Sequence, residues 1–169
     1  AVLELSALKG LFADLSDEPV SYVNAPLFAT EKGVDVSLSS SPDSPDFRNL
    51  VRVKAALADG TLVSVAGTLA GTRQREKIVE VNGFDVDVLL AEHIAFFTYA
   101  DRPGVVGYLG GILADAKVNI AGMQVSRRAE GEQALVVLTI DEAIDASLVT
   151  QIVAGVGATT GCTVDLIDA

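Results

Sequence analysis

Asp101, Arg102, Pro103 and Gly104 form the stretch whose side chains and backbone are best suited to grip a small molecule. They lie between an apolar run, residues 94–99, and a segment where Val105, Leu109, Ile112, Leu113 and Ala116 recur at helical spacing. Pro103 lacks an N–H and has a fixed φ, so it suits the first turn of a helix. Gly104 lets the backbone approach another chain or a ligand closely. The unpaired N–H groups at such a helix start suit a carboxylate. Asp101 stands beside them, and Asn119 opens the next strand, where it could come alongside. An anion-binding helix end next to an acidic side chain suits a zwitterion, which points to an amino acid. The plain structural alternative is a capping Asp and a turn Asn.

The rest of the chain offers no catalytic set. Gly104, Gly107, Gly110 and Gly111 match neither the dinucleotide fingerprint nor the phosphate loop. They thin one helix face, which suits close packing against a partner. His93 is the only histidine, so a Ser-His-Asp triad or a His-based metal site would rest on it alone. Its place at the expected domain junction reads as a solvated linker. Asp85 and Asp87 alternate along one strand, as a solvated face does. Cys162 is the only cysteine, which excludes an internal disulfide and a Cys-based zinc site. It reads as a buried structural residue at a strand start. No catalytic residue and no metal ligand is assigned.

Half of the 169 residues are hydrophobic, so a sizeable core can form, and the net charge is −11. Acids outnumber bases in both halves of the chain. That argues against nucleic acid, which needs a basic face, and against an anionic membrane surface. No run of about 18 apolar residues occurs, so no membrane span is expected. No signal peptide is visible. The chain starts inside an amphipathic run without Met, and so reads as a piece of a longer, cytoplasmic protein.

The elements that must position these residues follow in order. Leu5, Leu8, Phe12 and Leu15 predict a helix over residues 2–15. A second helix is expected over 20–32, kinked or broken by Pro26 and closed by Gly33. Val34, Val36 and Leu38 alternate as in a strand, and residues 39–46 read as a loop. Two hairpins are expected, one across Asp59-Gly60 and one across Asn82-Gly83. After a boundary at 90–93 come a strand (94–100), a helix (105–116), a strand (120–127), a turn at Glu130-Gly131 and a strand (133–140). A helix (146–156), glycines 157 and 161 as its end, and a last strand (163–167) complete the chain. The fold class is α+β in two domains: residues 1–91, two helices on an antiparallel sheet, and residues 92–169, a ferredoxin-like βαββαβ sandwich.

The order strand, Asp101-Arg102-Pro103-Gly104, helix, Val118-Asn119-Ile120 resembles the signature of the ACT domain, a regulatory module that binds amino acids in metabolic enzymes. Upstream, Leu5-Ser6-Ala7-Leu8-Lys9-Gly10-Leu11-Phe12, Tyr22-Val23-Asn24-Ala25-Pro26, Glu31-Lys32-Gly33 and Lys77-Ile78-Val79-Glu80-Val81-Asn82-Gly83 follow in sequence. Together they resemble the intervening, or allosteric substrate binding, domain of the long-form bacterial D-3-phosphoglycerate dehydrogenase family. The resemblance covers essentially the whole chain.

It implies the C-terminal regulatory region of the first enzyme of serine biosynthesis, an NAD-dependent oxidoreductase. The NAD and substrate domains would lie upstream, with no cofactor in this chain. The implied partners are L-serine and a second copy of the chain, as a homodimer or homotetramer through ACT domains. In that family L-serine binds between two ACT domains and inhibits. Its contacts carry over to Tyr99 and Asp101, and to Asn119 with Ile120 beside it. Asp101 and Asn119 would hold the ammonium and hydroxyl side, and the backbone of Arg102, Pro103, Gly104 and Val105 the carboxylate. Some members also bind an anion in the intervening domain. Lys77 matches one such basic position, and Arg73 and Arg75 stand nearby, whereas Phe84, Asp85 and Leu89 replace basic side chains. Two other readings are an oligomerisation module without a live effector site and the regulatory half of an iron–sulfur L-serine dehydratase.

Overall fold

The computed structural model describes residues 2–13, 15–16, 18–44, 46–128 and 132–166. They form two compact units, residues 1–46 and 47–169. Among the described residues, no helix is long and apolar enough to cross a membrane.

The first unit holds α1 (Val2–Ala13) and α2 (Ala25–Glu31). Leu8 and Phe12 meet Ala25 and Ala29 in a small core, with the rings of Phe12 and Phe28 centred 6.2 Å apart. Three expectations are corrected here. α1 ends at Ala13, so Leu15 leaves the apolar stripe and is exposed. The second helix begins at Ala25 and not at residue 20. Pro26 fits its first turn, and Asn24 builds the turn before it by accepting from the Ser21 N–H at 2.6 Å and donating to the Pro19 carbonyl at 3.0 Å. The alternating residues 34–38 form no strand, and Val36 and Leu38 are exposed. Alternation makes a strand only where an edge is offered to pair with.

The second unit contains two four-stranded antiparallel sheets. Sheet A is a meander of β1 (Val51–Ala56), β2 (Leu62–Ala70), β3 (Arg75–Val81) and β4 (Phe84–Leu89). Asn82 and Gly83 both have positive φ, +49° and +79°, as the tight β3–β4 turn requires. Sheet B combines β5 (His93–Ala100), β6 (Ile120–Arg127), β7 (Gln133–Ile140) and β8 (Ala158–Asp165) in the order β6-β7-β5-β8. Helices α3 (Val105–Asp115) and α4 (Ala146–Val156) cover one of its faces. The expected turn at Glu130-Gly131 and the end of the last strand at Ile167 lie outside the described residues.

Strand alternation splits the core in two. Ala95, Phe97, Tyr99, Ala134, Val136 and Leu138 point to the helices, where they meet Val105, Leu109, Leu113, Ile152 and Val156. Ile94, Leu135 and Val137 point the other way, against Phe84, Val86 and Val88 of β4. Sheet A therefore packs on the open face of sheet B. Cys162 lies on β8, an edge strand of sheet B, where it pairs with Phe96 of β5, and is exposed and not buried as expected. His93 is also corrected. It is the first residue of β5, not a linker, and its Nδ1 lies 2.7 Å from Asp165 Oδ1 of β8.

The glycines after α4 have separate roles. Gly157 ends the helix, but Gly161 lies within β8. A Cβ there would stand 2.5 Å from Val153 Cγ2 and 2.8 Å from Cδ1 of the fully buried Phe97. Gly161→Ala is thus expected to lower stability by about 1–3 kcal/mol, as overpacking a tight core does. A reduced urea midpoint at unchanged m-value would be the readout.

Glu80 anchors the polar face of sheet A. Burial pushes its carboxyl up, but the Ser64 hydroxyl, the Gly83 N–H and Arg52 together hold it below its ordinary value of 4.5. A depressed folded-state value stabilises above the unfolded one, and that stability is lost as pH falls through the folded value. Glu80→Gln should therefore be less stable at pH 7 and lose less stability below pH 4.5 than the wild type. Urea midpoints at several pH values measure both effects.

Candidate functional site

The turn between β5 and α3 is built as the apolar strand and helix dictate. β5 ends at Ala100, and the Asp101 N–H donates to the Glu132 carbonyl at 2.7 Å. Gly104 then takes φ +93° as the residue before α3, a left-handed conformation open to glycine. Among the described residues, no side chain caps α3. The capping alternative for Asp101 therefore does not hold. Its carboxylate faces Arg127 at the end of β6, Nη1 to Oδ2 3.2 Å, with the Asp101 side chain about one-fifth exposed. Arg102 turns away and donates to the carbonyls of Gly155 and Val156 at 3.4 and 3.1 Å, closing the C-terminus of α4. Only its backbone remains beside the α3 start, with exposed Pro103 and Gly104 and buried Val105.

Tyr99 points into the helix-side core and is 2% exposed. Burial pushes its phenol up, and the Asp101 charge adds to that. Asn119 and Ile120 stand at the far end of sheet B. The Asn119 side chain donates to Asp141 at 2.7 Å, and its carbonyl accepts from the Asp141 N–H. Asp101 is thus tied to residue 132 and Asn119 to residue 141, at opposite ends of β7. At 3.3 Å per residue these ends lie about 30 Å apart. Within one chain the fold keeps Asp101 and Asn119 apart.

The profile of the D-3-phosphoglycerate dehydrogenase intervening domain matches residues 1–82, and that of the ACT domain matches residues 93–154. The D-3-phosphoglycerate dehydrogenase of Mycobacterium tuberculosis is 41% identical over 157 residues, 93% of this chain and 30% of that protein. The chain carries the intervening and ACT domains of the D-3-phosphoglycerate dehydrogenase family. The Mycobacterium leprae relative is 39% identical over the same share. The Bacillus subtilis relative is 32% identical over 145 residues, 86% of this chain and 27% of its own. The chain spans about 30% of the length of the first two relatives, and no cofactor-binding domain is among the matched parts.

In the intervening domain, Lys77 of β3 is engaged by Asp87 of β4, Nζ to Oδ1 2.6 Å. Arg73 and Arg75 line a shallow recess of about 240 Å³ at the β2–β3 turn with Ala70, Gly71 and Thr72. A second cleft, about 320 Å³, runs between β4 and β6 past Gly122, Met123 and Thr139. The Asp87 N–H donates to the Gln124 side chain beside it, at 2.8 Å.

Nothing local in the sequence singles out Arg127 and Arg128. Their basic character in an acidic chain was the only signal, and local spacing does not connect residue 127 with 101. Nor did spacing reveal the side chain of Arg102 as the cap of α4. Its loss in Arg102→Ala should cost roughly 0.3–1 kcal/mol, the usual scale for a cation at a helix C-terminus. Arg102→Lys should recover part of it. Urea midpoints would show this, and an unchanged midpoint for Arg102→Ala would remove the capping role.

Proposed function

We propose that this chain is the effector-sensing region of a D-3-phosphoglycerate dehydrogenase and that it binds L-serine between the ACT domains of two copies. The functional division is taken at 91/92, between the intervening and ACT parts. The parent enzyme would act in the cytoplasm, with NAD bound in its catalytic part, and serine would inhibit it as the end product of the route.

One observation carries this reading: an uncapped helix start, preceded by left-handed Gly104, stands beside a partly buried Asp101. The α3 N–H groups suit the carboxylate of an amino acid, and Asp101 suits its ammonium. The separation of Asn119 from Asp101 supports a site shared by two copies. Among the described residues β6 is an edge of sheet B with no strand paired beyond it. Two such edges related by a two-fold axis would run antiparallel. The start of one β6, with Asn119, would then lie by the end of the other, where Arg127 meets Asp101. Exposed Val106 on α3 and Val125 on β6 supply apolar surface for the contact, and Gly107, Gly110 and Gly111 leave open space on α3.

Lys77 with Arg73 and Arg75 is retained as a candidate second anion site, one that would need Asp87 to yield Lys77.

Calorimetric titration with L-serine tests the main reading. Binding is expected in the wild type. Asp101→Asn removes a charge-assisted hydrogen bond of about 1.5–3 kcal/mol and should weaken affinity more than tenfold. Asn119→Ala should weaken it as well. At one hundred times the dissociation constant, L-serine should add about 2.7 kcal/mol of stability. A dimer whose stability and assembly ignore serine and the other amino acids would favour a purely structural module.

A further inference from the structure

Arg127 is the last residue of β6 and Arg128 follows it directly, outside the strand, and their side chains take different partners. Arg127 pairs in register with Ala134, whose side chain belongs to the helix-side core. Its guanidinium holds Asp101 at the mouth of the proposed effector site. Arg128 reaches into the intervening domain. Its Nη2 donates to the Asn82 carbonyl at 2.6 Å, and its guanidinium lies 4.6 Å from the centre of the Phe84 ring. A Cβ on Gly83 would stand 3.0 Å from that same Nη2, so the turn and the guanidinium are closely fitted. Phe84 is 3% exposed and belongs to the core between the two sheets.

We infer that Arg127 and Arg128 form the linkage through which the charge state of the Asp101 site is felt by the β3–β4 turn of the intervening domain. Asp101 is occupied by an internal cation in this structure. A ligand ammonium entering the site presents the same charge to the same carboxylate and competes with Arg127. Release of Arg127 frees the end of β6, and Arg128, on the adjoining residue, loses its fixed anchor. The Asn82-Gly83 turn loosens in turn. The Gly83 N–H, which donates to Glu80 Oε1 at 3.0 Å, reports that change. The ligand arm of this scheme rests on the effector reading. The link from Asp101 to Gly83 does not.

Amide exchange at Gly83, followed residue by residue in the full chain, tests it. Asp101→Asn should speed exchange at Gly83 severalfold with no ligand present. Arg128→Ala should speed it as much or more, and Asp101→Asn should add nothing in the Arg128→Ala background. L-serine should speed Gly83 exchange in the wild type and leave it unchanged in Arg128→Ala, while still releasing heat of binding. Arg128→Lys keeps the charge but loses the planar stack on Phe84. It carries the same test should Arg128→Ala fail to fold. Unaltered Gly83 exchange in Asp101→Asn, or a full Asp101→Asn effect without Arg128, overturns the linkage. Serine binding that leaves Gly83 exchange untouched also overturns it, while sparing the effector reading. The absence of any serine heat, with the Asp101→Asn effect intact and dependent on Arg128, sinks the effector reading and supports the linkage.

Discussion

β7 must be covered on both faces. Ala134, Val136, Leu138 and Ile140 face the two helices, while Leu135 and Val137 face β4. A strand buried on both sides reads as a nearly continuous apolar run, as residues 134–140 do. The helices alone would leave Leu135, Val137 and Ile94 open to water. Sheet A is therefore part of the same core as sheet B. That shared core places the Asn82-Gly83 turn of one sheet next to the end of β6 in the other.

Five cations of this acidic chain have definite addresses. Arg52 meets Glu80, Lys77 meets Asp87 and Arg127 meets Asp101. Arg102 and Arg128 go to backbone carbonyls. Exposed pairs of this sort contribute little stability, typically about 0–1 kcal/mol. Their consequence here is geometric. A cation held weakly on Asp101 can be exchanged for another at small cost, which is the property a site for an ammonium group needs. The Asp101 side chain is only about one-fifth exposed.

Much of the fold was legible because its signals are local. The βαββαβ order, the two glycine-containing hairpins and the start of α3 follow from periodicity and turn chemistry. The Asp101–Gly104 turn was legible on the same basis, since a turn before an amphipathic helix can be read from adjacent residues. Three of the failures share one cause. Residues 34–38 alternate like a strand, but no neighbouring edge among the described residues accepts them. Cys162 occupies a position on β8, whose place at the edge of sheet B is set by strand order and not by neighbouring residues. Gly161 reads as loop until the ring of Phe97 is placed above it.

Residue order thus determined the elements, their sequence and the chemical character of the Asp101 turn, because each depends on bonds spanning a few residues. Tertiary structure decided what that turn faces. It brought Arg127 across 26 residues to the carboxylate and carried Asn119 to the opposite end of the sheet. It also sent Arg128 through to the other domain's hairpin. Strand register and sheet-on-sheet packing set those distances, and both arise from contacts between segments far apart in the chain.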